Sequence, residues 1–521
     1  MYFLHVKKVL LLLLFALFIV GGSVYAATTI NFDSNDSLQV QLLGVNDLHG
    51  HLDTYDQFNG KKVGGADYLS AYINKYRQEH EHTLLIHAGD MVGGSPPISS
   101  LLQDEPTMEY LDLLQFDVGT IGNHELDEGI DEMKRLLFGG FHPITGYFPG
   151  SKTPYISANI IDKKTNRHVF PPYLIKEIDG IKIGFIGVVT TDTNLYIFPE
   201  HRDSIKITDE VTAINKAADE LKKQGVKSIV VLGHISSKSN LDGTQPDEDF
   251  AIMAPDIDDE VDILFGAHNH QYTNTVVDNK LIVQAYSYGK AFSQVNIGID
   301  KKTKDIIHKK AEIILTDHEL VKPDADAIEL IHKYKEKTDT YVNQVVGTLP
   351  DDISQKKNND GFSPLGNMIA DSYKANMNTD FAFVHQGGVR ASLNKGAVKM
   401  KDLLTILPFG HKLVTTSLTG DQIKKALEQQ WRVNEKENIL QISGFSYTYD
   451  NQAPIGNRIK SLKETNGKII EPDKTYTVAL TDYLSSGGDG FTSFEEGTAI
   501  GEGPLDVEAF AEFIKGQRTV K

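Results

Sequence analysis

The sequence predicts an α/β protein: a large layered domain with buried sheets, then a helix, then a smaller α/β unit. Short apolar, β-branched runs bounded by glycine or polar residues recur through the first half of the chain. Amphipathic patterns at helical spacing lie between several of these runs. A charged, sparsely apolar helical stretch separates this series from a second one of the same kind. Continuous apolar strands alternating with amphipathic helices are the pattern of sheets covered on both faces.

Taken in order, the chain begins with Lys7 and Lys8, an apolar run over 9–20, and Val24-Tyr25-Ala26, which offers small residues where a signal peptidase inspects. The run is shorter than the about 20 residues of a membrane span. A signal peptide over 1–26, cleaved near Ala26, is expected, with an uncleaved N-terminal anchor as the alternative. Strands are expected over 40–45, 83–88, 118–121, 181–189, 228–232, 261–265 and 281–285. Leu69, Ile73 and Tyr76 mark one helix face, and Ile214, Ala218 and Leu221 another. Residues 321–345 read as an inter-domain helix with Ile328, Ile331 and Tyr334 as its apolar stripe. Strands over 381–384, 447–449 and 476–480 belong to the second unit. From Ile514 onward there is no apolar tail or sorting signal, so no stable membrane anchor is expected after cleavage.

Composition narrows the chemistry. With 52 Lys and Arg against 71 Asp and Glu, the net charge is −19. Such a chain repels nucleic-acid polymers and anionic membranes, while a small phosphate substrate still binds where metals or arginines invert the field. The absence of cysteine excludes disulfides, zinc–thiolate sites and a lipidated N-terminus. A secreted protein without disulfides fits a bacterial export route. Composition leaves the oligomeric state open.

The polar residues that follow the strands carry the functional signal. Five early strands run into Asn46-Asp47-Leu48-His49, Gly89-Asp90, Gly122-Asn123-His124-Glu125, Gly233-His234 and Gly266-Ala267-His268-Asn269-His270. Loops at the carboxyl ends of strands are where α/β folds place their sites. Two divalent cations about 3.5–4 Å apart need a bridging carboxylate and imidazoles to complete each shell. Asp47 and His49 form a natural pair for one metal, Asp90 a bridge, and Asn123, His234 and His268 a second set, with His270 pointing back to the first. Histidine and carboxylate without sulfur suit zinc, manganese, cobalt or iron better than calcium. His124 has Asp127 three residues on, able to fix its tautomer, so it is a candidate to stabilise phosphoryl charge or protonate a leaving group. A lone histidine is more often a surface or core residue, and His51, His80, His82, His87 and His142 are read so. Recurrence at five strand ends argues otherwise for the rest.

These blocks, in this order, resemble the calcineurin-like metallophosphoesterases, and Gly122-Asn123-His124-Glu125-Leu126-Asp127 resembles the secreted 5′-nucleotidase branch. Ser363-Pro364-Leu365-Gly366-Asn367, Gly387-Gly388-Val389-Arg390, Leu407-Pro408-Phe409-Gly410 and Ser486-Gly487-Gly488-Asp489-Gly490-Phe491 are similar to that family's second domain. The resemblance implies a four-layer α-β-β-α metal domain over 28–320, a linker helix over 321–345 and a smaller α/β nucleotide-binding domain over 346–521. It implies two divalent metals, one on Asp47, His49, Asp90 and His270 and one on Asp90, Asn123, His234 and His268. His124 and Asp127 would be the catalytic dyad, Arg390 a phosphate clamp, Phe409 and Tyr483 the pair that sandwiches the base, and Asp489 a ribose-side acceptor. The implied reaction is attack by metal-activated water on a small nucleotide, releasing phosphate, with domain rotation carrying substrate to the metals. A 2′,3′-cyclic-nucleotide phosphodiesterase or UDP-sugar hydrolase shares the scaffold, and a non-catalytic nucleotide-binding surface protein is the alternative of another class. Three positions depart from the family. The stretch from Lys356 to Phe362 lacks the arginine often found there, His411 stands where asparagine is common, and His270 where glutamine also occurs.

Overall fold

The pleat of the first strand dictates two buried faces. Along Ser37–Val45, Leu38, Val40 and Leu42 point into one apolar cluster while Leu43 and Val45 point into another. Side chains alternate across a strand, so an unbroken apolar run must be covered on both sides. The same alternation recurs in Ile181–Val189, where Ile183 and Phe185 oppose Ile186 and Val188, and in Ser228–His234, where Val230 and Leu232 oppose Ile229 and Val231.

The computed structural model describes residues 36–197, 204–433 and 436–516; the expected signal peptide lies outside the described residues. Two six-stranded sheets follow from the alternation. In the first, Ser37–Val45, Thr83–His87, Val118–Thr120 and Tyr155–Ile156 run parallel, extended antiparallel by Ala291–Asp300 and Ile306–Leu315. In the second, Ile181–Val189, Ser228–His234, Val261–Phe265 and Lys280–Ala285 run parallel between antiparallel edges Tyr173–Ile178 and Tyr272–Val277. The sheets share one core, which contains Leu42, Ile86, Phe185, Val230 and Phe265. Helices Ala66–Glu79 and Glu105–Leu114 cover the outer face of the first sheet, and Glu210–Lys223 that of the second. This is the expected four-layer α-β-β-α arrangement.

Helix Ala325–Val342 starts where the Asp324 carboxylate accepts from the Ala327 N–H. Its buried stripe is Ala327, Ile331, Tyr334, Thr338 and Val342. Ile328, expected in the stripe, is half-buried, because the spacing of the observed stripe turns that position aside. Ala327, Ile331 and Tyr334 join the core of the first domain, and Val342 joins that of the second. Beyond it, a five-stranded sheet runs Gln441–Ser443, Phe381–Val384, Thr475–Thr481, Lys412–Thr419, Thr498–Leu505. Helices Pro364–Met377 and Asp506–Gly516 pack on one face and Gly420–Glu428 on the other.

Candidate active site

Strand ends from both sheets deliver the polar residues to one place. The first sheet supplies Asp47 and His49 after Ser37–Val45, Asp90 after Thr83–His87, and Asn123 and His124 after Val118–Thr120. The second supplies His268 and His270 after Val261–Phe265, and His234. His234 is the last residue of its strand rather than part of a following loop, since the ladder to Val189 holds it in register. Asp47, His49, Asp90, His268 and His270 all have positive φ, between 47° and 78°. Non-glycine residues adopt this region at a cost of about 1–3 kcal/mol each, and such residues cluster at functional sites. Gly122 is required beside them: a Cβ there would lie 2.2 Å from Asp90 Oδ1.

The donor atoms converge in two groups that share one oxygen. Asp90 Oδ2 lies 3.5 Å from His49 Nε2 and 3.1 Å from His234 Nε2. On one side His49 Nε2 is 3.3 Å from His270 Nε2, which is 3.6 Å from Asp47 Oδ1. On the other His234 Nε2 is 3.0 Å from Asn123 Oδ1 and 3.2 Å from His268 Nδ1. Backbone acceptors set the tautomers, because His49 Nδ1 donates to Gly93 O at 2.8 Å and His234 Nδ1 to Ala88 O at 3.0 Å. Each ring therefore aims its Nε2 inward, as metal-ligating imidazoles do. Desolvation lowers His234, but Asp90 outweighs it and raises that ring to about 9, so a cation bound there would displace its Nε2 proton. Desolvation pushes His268 down to about 3 and His49 and His270 well below the ordinary value, which favours neutral rings. Desolvation opposes ionisation of Asp90, but His234, His124 and His49 outweigh it and hold the carboxyl well below its usual range. Facing ring nitrogens around an ionised, buried carboxylate fit two divalent cations.

His124 and Asp127 are joined by a short 3-10 turn, His124–Leu126, in which positions three apart eclipse. His124 Nδ1 lies 2.8 Å from Asp127 Oδ2 and 3.0 Å from Oδ1. Desolvation lowers His124, yet Asp127 and Asp90 outweigh it and raise the imidazole above its ordinary value. Glu125, for which no role was expected, organises the loops. Its carboxylate accepts from the backbone N–H of Asp90 and Met91, each at 2.8 Å, and of Gly122 at 2.7 Å.

The second domain closes over this group. A cavity of about 940 Å³ is lined by Asp90, His124 and His270 on one wall and by Arg390, Phe409 and Tyr483 on the other. The Phe409 ring stacks on His124 at 5.5 Å and 14°, and the Arg390 guanidinium lies 5.9 Å from the Phe409 centroid. Tyr483 is buried, and its hydroxyl donates to Asp489 Oδ1 at 2.7 Å. Asp489 Oδ2 lies 3.2 Å from His385 Nδ1 and accepts from Asn438 at 3.3 Å. Burial would raise Asp489, but His385 and the Tyr483 hydroxyl hold it down at about 2.

Comparison with known proteins assigns the family. A model of calcineurin-like phosphoesterases matches residues 40–272, and one of 5′-nucleotidase C-terminal domains matches residues 345–496. The chain is 36% identical over 531 residues to the cell wall protein Lmo0130 of Listeria monocytogenes, covering 93% of this chain and 68% of that protein. The chain belongs to the 5′-nucleotidase family. It is also 40% identical over 492 residues to endonuclease YhcR of Bacillus subtilis, covering 92% of this chain but 40% of that relative's length. The 5′-nucleotidase precursor of Thermus thermophilus has the same fold, with a TM-score of 0.79 over 93% of this chain and 97% of that one, at 24% identity.

For a 5′-nucleotidase family chain, the family's metal-dependent phosphoester chemistry and dinuclear divalent centre are matched by His and Asp ligand groups. The stretch without arginine still delivers a cation, since Lys357 lines the cavity with Arg390. Asp489, expected as a ribose-side acceptor, has Oδ2 engaged by both His385 and Asn438, while Oδ1 accepts from the Tyr483 hydroxyl and keeps one lone pair to spare.

Proposed function

We propose that the chain is a secreted, metal-dependent nucleotide phosphohydrolase that releases phosphate from nucleoside 5′-phosphates. What supports this most is the facing of two unlike walls across one cavity: carboxylates and imidazoles on one, Arg390 and the Phe409 ring on the other. In this reading 28–320 carries the metals, 321–345 links, and 346–521 binds the nucleotide. Asp47, His49, Asp90 and His270 hold one cation and Asp90, Asn123, His234 and His268 the other, with zinc, manganese, cobalt or iron as the suitable ions. Bound there, the pair would acidify a water and neutralise phosphoryl oxygens. Arg390 grips non-bridging oxygens in a fork, and its guanidinium has no hydrogen-bond or ion-pair partner among the described residues. Water attacks phosphorus in line and the ester P–O bond breaks. His124, with Nδ1 held by Asp127, turns its Nε2 proton toward the phosphoryl group or leaving oxygen. The products are inorganic phosphate and a nucleoside. Export is supported by the apolar run over 9–20, with cleavage near Ala26, and by a relative described as a cell wall protein.

A second reading, cleavage of phosphodiesters, is favoured by the size of the cavity, whose lining also includes Leu101, Gln103 and Met133 beyond the groups assigned to phosphate and base. The deciding test is product release from AMP, ADP, ATP, 2′,3′-cyclic AMP and UDP-glucose by the purified protein, with EDTA and His124→Ala as controls. Hydrolysis abolished by both controls supports the enzyme, and the preferred substrate selects the reading. No turnover with manganese, zinc or cobalt leaves a non-catalytic nucleotide-binding protein.

A further inference from the structure

The stacking faces expected to grip a nucleobase are already in use. The His411 imidazole lies nearly parallel to both rings, 5.7 Å and 29° from Phe409 and 5.2 Å and 19° from Tyr483. Tyr483 has no other face to offer: it is 6% exposed, His385 lies 5.0 Å away, and a Cβ at Gly488 would come within 2.5 Å of the ring. Phe409 carries His124 and the Arg390 guanidinium besides His411. A base therefore stacks between Phe409 and Tyr483 only after His411 leaves.

We propose that His411 is a gate of the nucleobase slot, a specificity-determining side chain that a base must displace to bind. The inference rests on the nucleotide-hydrolase reading for its biological sense, but the gate itself is a binding property. Two features equip His411 for the task. Its Nδ1 is tethered to Asp482 Oδ1 at 3.5 Å, which holds the ring over Tyr483. The preceding Gly410 has φ +64° with open space around it, so the backbone can turn the ring out into the adjoining cavity. Base–aromatic stacking is then partly offset by loss of the protein's own stack, so the chain discriminates weakly between phosphoesters with and without a base.

The test uses adenosine binding by calorimetry, which needs no turnover, together with the ratio of kcat/KM for AMP to that for ribose 5-phosphate. His411→Ala and His411→Asn are expected to bind adenosine at least tenfold more tightly than wild type, and to raise the ratio at least tenfold. Asp482→Asn, which loosens the tether and leaves the ring in place, is expected to shift both in the same direction by less, and thermal melts establish that each variant is folded. Unchanged adenosine affinity in folded variants overturns the gate. Weaker binding also overturns it, since His411 would then be a base contact, as does the absence of adenosine binding in every variant. A protein that hydrolyses neither phosphoester, yet binds adenosine more tightly without His411, retains the gate and loses the hydrolase reading.

Discussion

His124 and Asp90 touch the same few ångströms of the site and fail differently when changed. His124 has its Nδ1 fixed by Asp127 and belongs to neither of the two proposed ligand sets, so in the proposed mechanism truncation removes the proton donor alone. His124→Ala is expected to lower kcat about 100- to 10,000-fold, the usual range for a positioned acid–base group. Metal content, read by elemental analysis, should stay at the wild-type level. Asp90 is different, because one of its oxygens faces both His49 and His234. Asp90→Asn should therefore lower the bound metal itself, from two ions toward one or none per chain, and abolish activity with it. Both residues were legible in the sequence as ligand types stacked at strand ends. Glu125 was not, since a carboxylate that accepts only backbone N–H groups leaves no spacing signature.

At the scale of elements, strands such as Ile181–Val189 and Val261–Phe265 were read to the residue. Ser37–Val45, by contrast, starts three residues before its expected start, and Ala291–Asp300, whose run is interrupted by Ser293, Gln294 and Asn296, was missed. The antiparallel extension Ile306–Leu315 escaped because His308, Lys309, Lys310 and Glu312 break its apolar run, and just Ile306 and Ala311 are buried. The turn His124–Leu126 depends on Glu125, whose removal leaves three N–H groups of the Asp90 and Gly122 loops unpaired. Each such buried group costs about 1–3 kcal/mol. Glu125→Ala is thus expected to lower Tm by several degrees and to weaken metal binding, checked by calorimetry with and without EDTA. Helix Asp506–Gly516 begins with a buried carboxyl, pushed by burial from 3.8 up to about 8. Below about 4 the group is protonated folded or unfolded and contributes nothing to the pH dependence. As pH rises from there to about 8 the unfolded chain ionises first, so stability falls. Asp506→Asn, which still accepts from the Val507 N–H, removes this slope. Its Tm should exceed that of wild type at pH 8, with the gap closing toward pH 4.

The whole molecule brings its two halves into contact at the chemistry, with Phe409 of the second domain stacked on His124 of the first. Each half has apolar clusters of its own, although Leu101 of the first domain packs against one of those in the second. Helix Ala325–Val342 is anchored in the first domain along most of its buried stripe and reaches the second at Val342. A rotation of the second domain would therefore turn at the end of this helix, near Val342 and Asn343, since the Gln344 carbonyl already accepts from the Met400 N–H of the second domain. The linker helix and the rotation were expected from the family resemblance, but the sequence carries no signal for which side holds the helix. The exposed ion pair Lys436–Glu248, 2.7 Å across the two domains, marks where the arrangement can be fixed. A surface ion pair of this kind contributes at most about 1 kcal/mol, so replacing it leaves the free motion nearly as before. Because the chain has no cysteine, Lys436→Cys with Glu248→Cys introduces the sole thiols, and a short bismaleimide joins them selectively. If product leaves by rotation, the joined protein should lose at least tenfold in kcat for AMP relative to the same double variant left unjoined. It should also retain its bound metal, because every proposed ligand lies in the first domain. An equal kcat in the two forms would mean that the closed arrangement turns over as it stands, and that substrate and product pass through the cavity mouth.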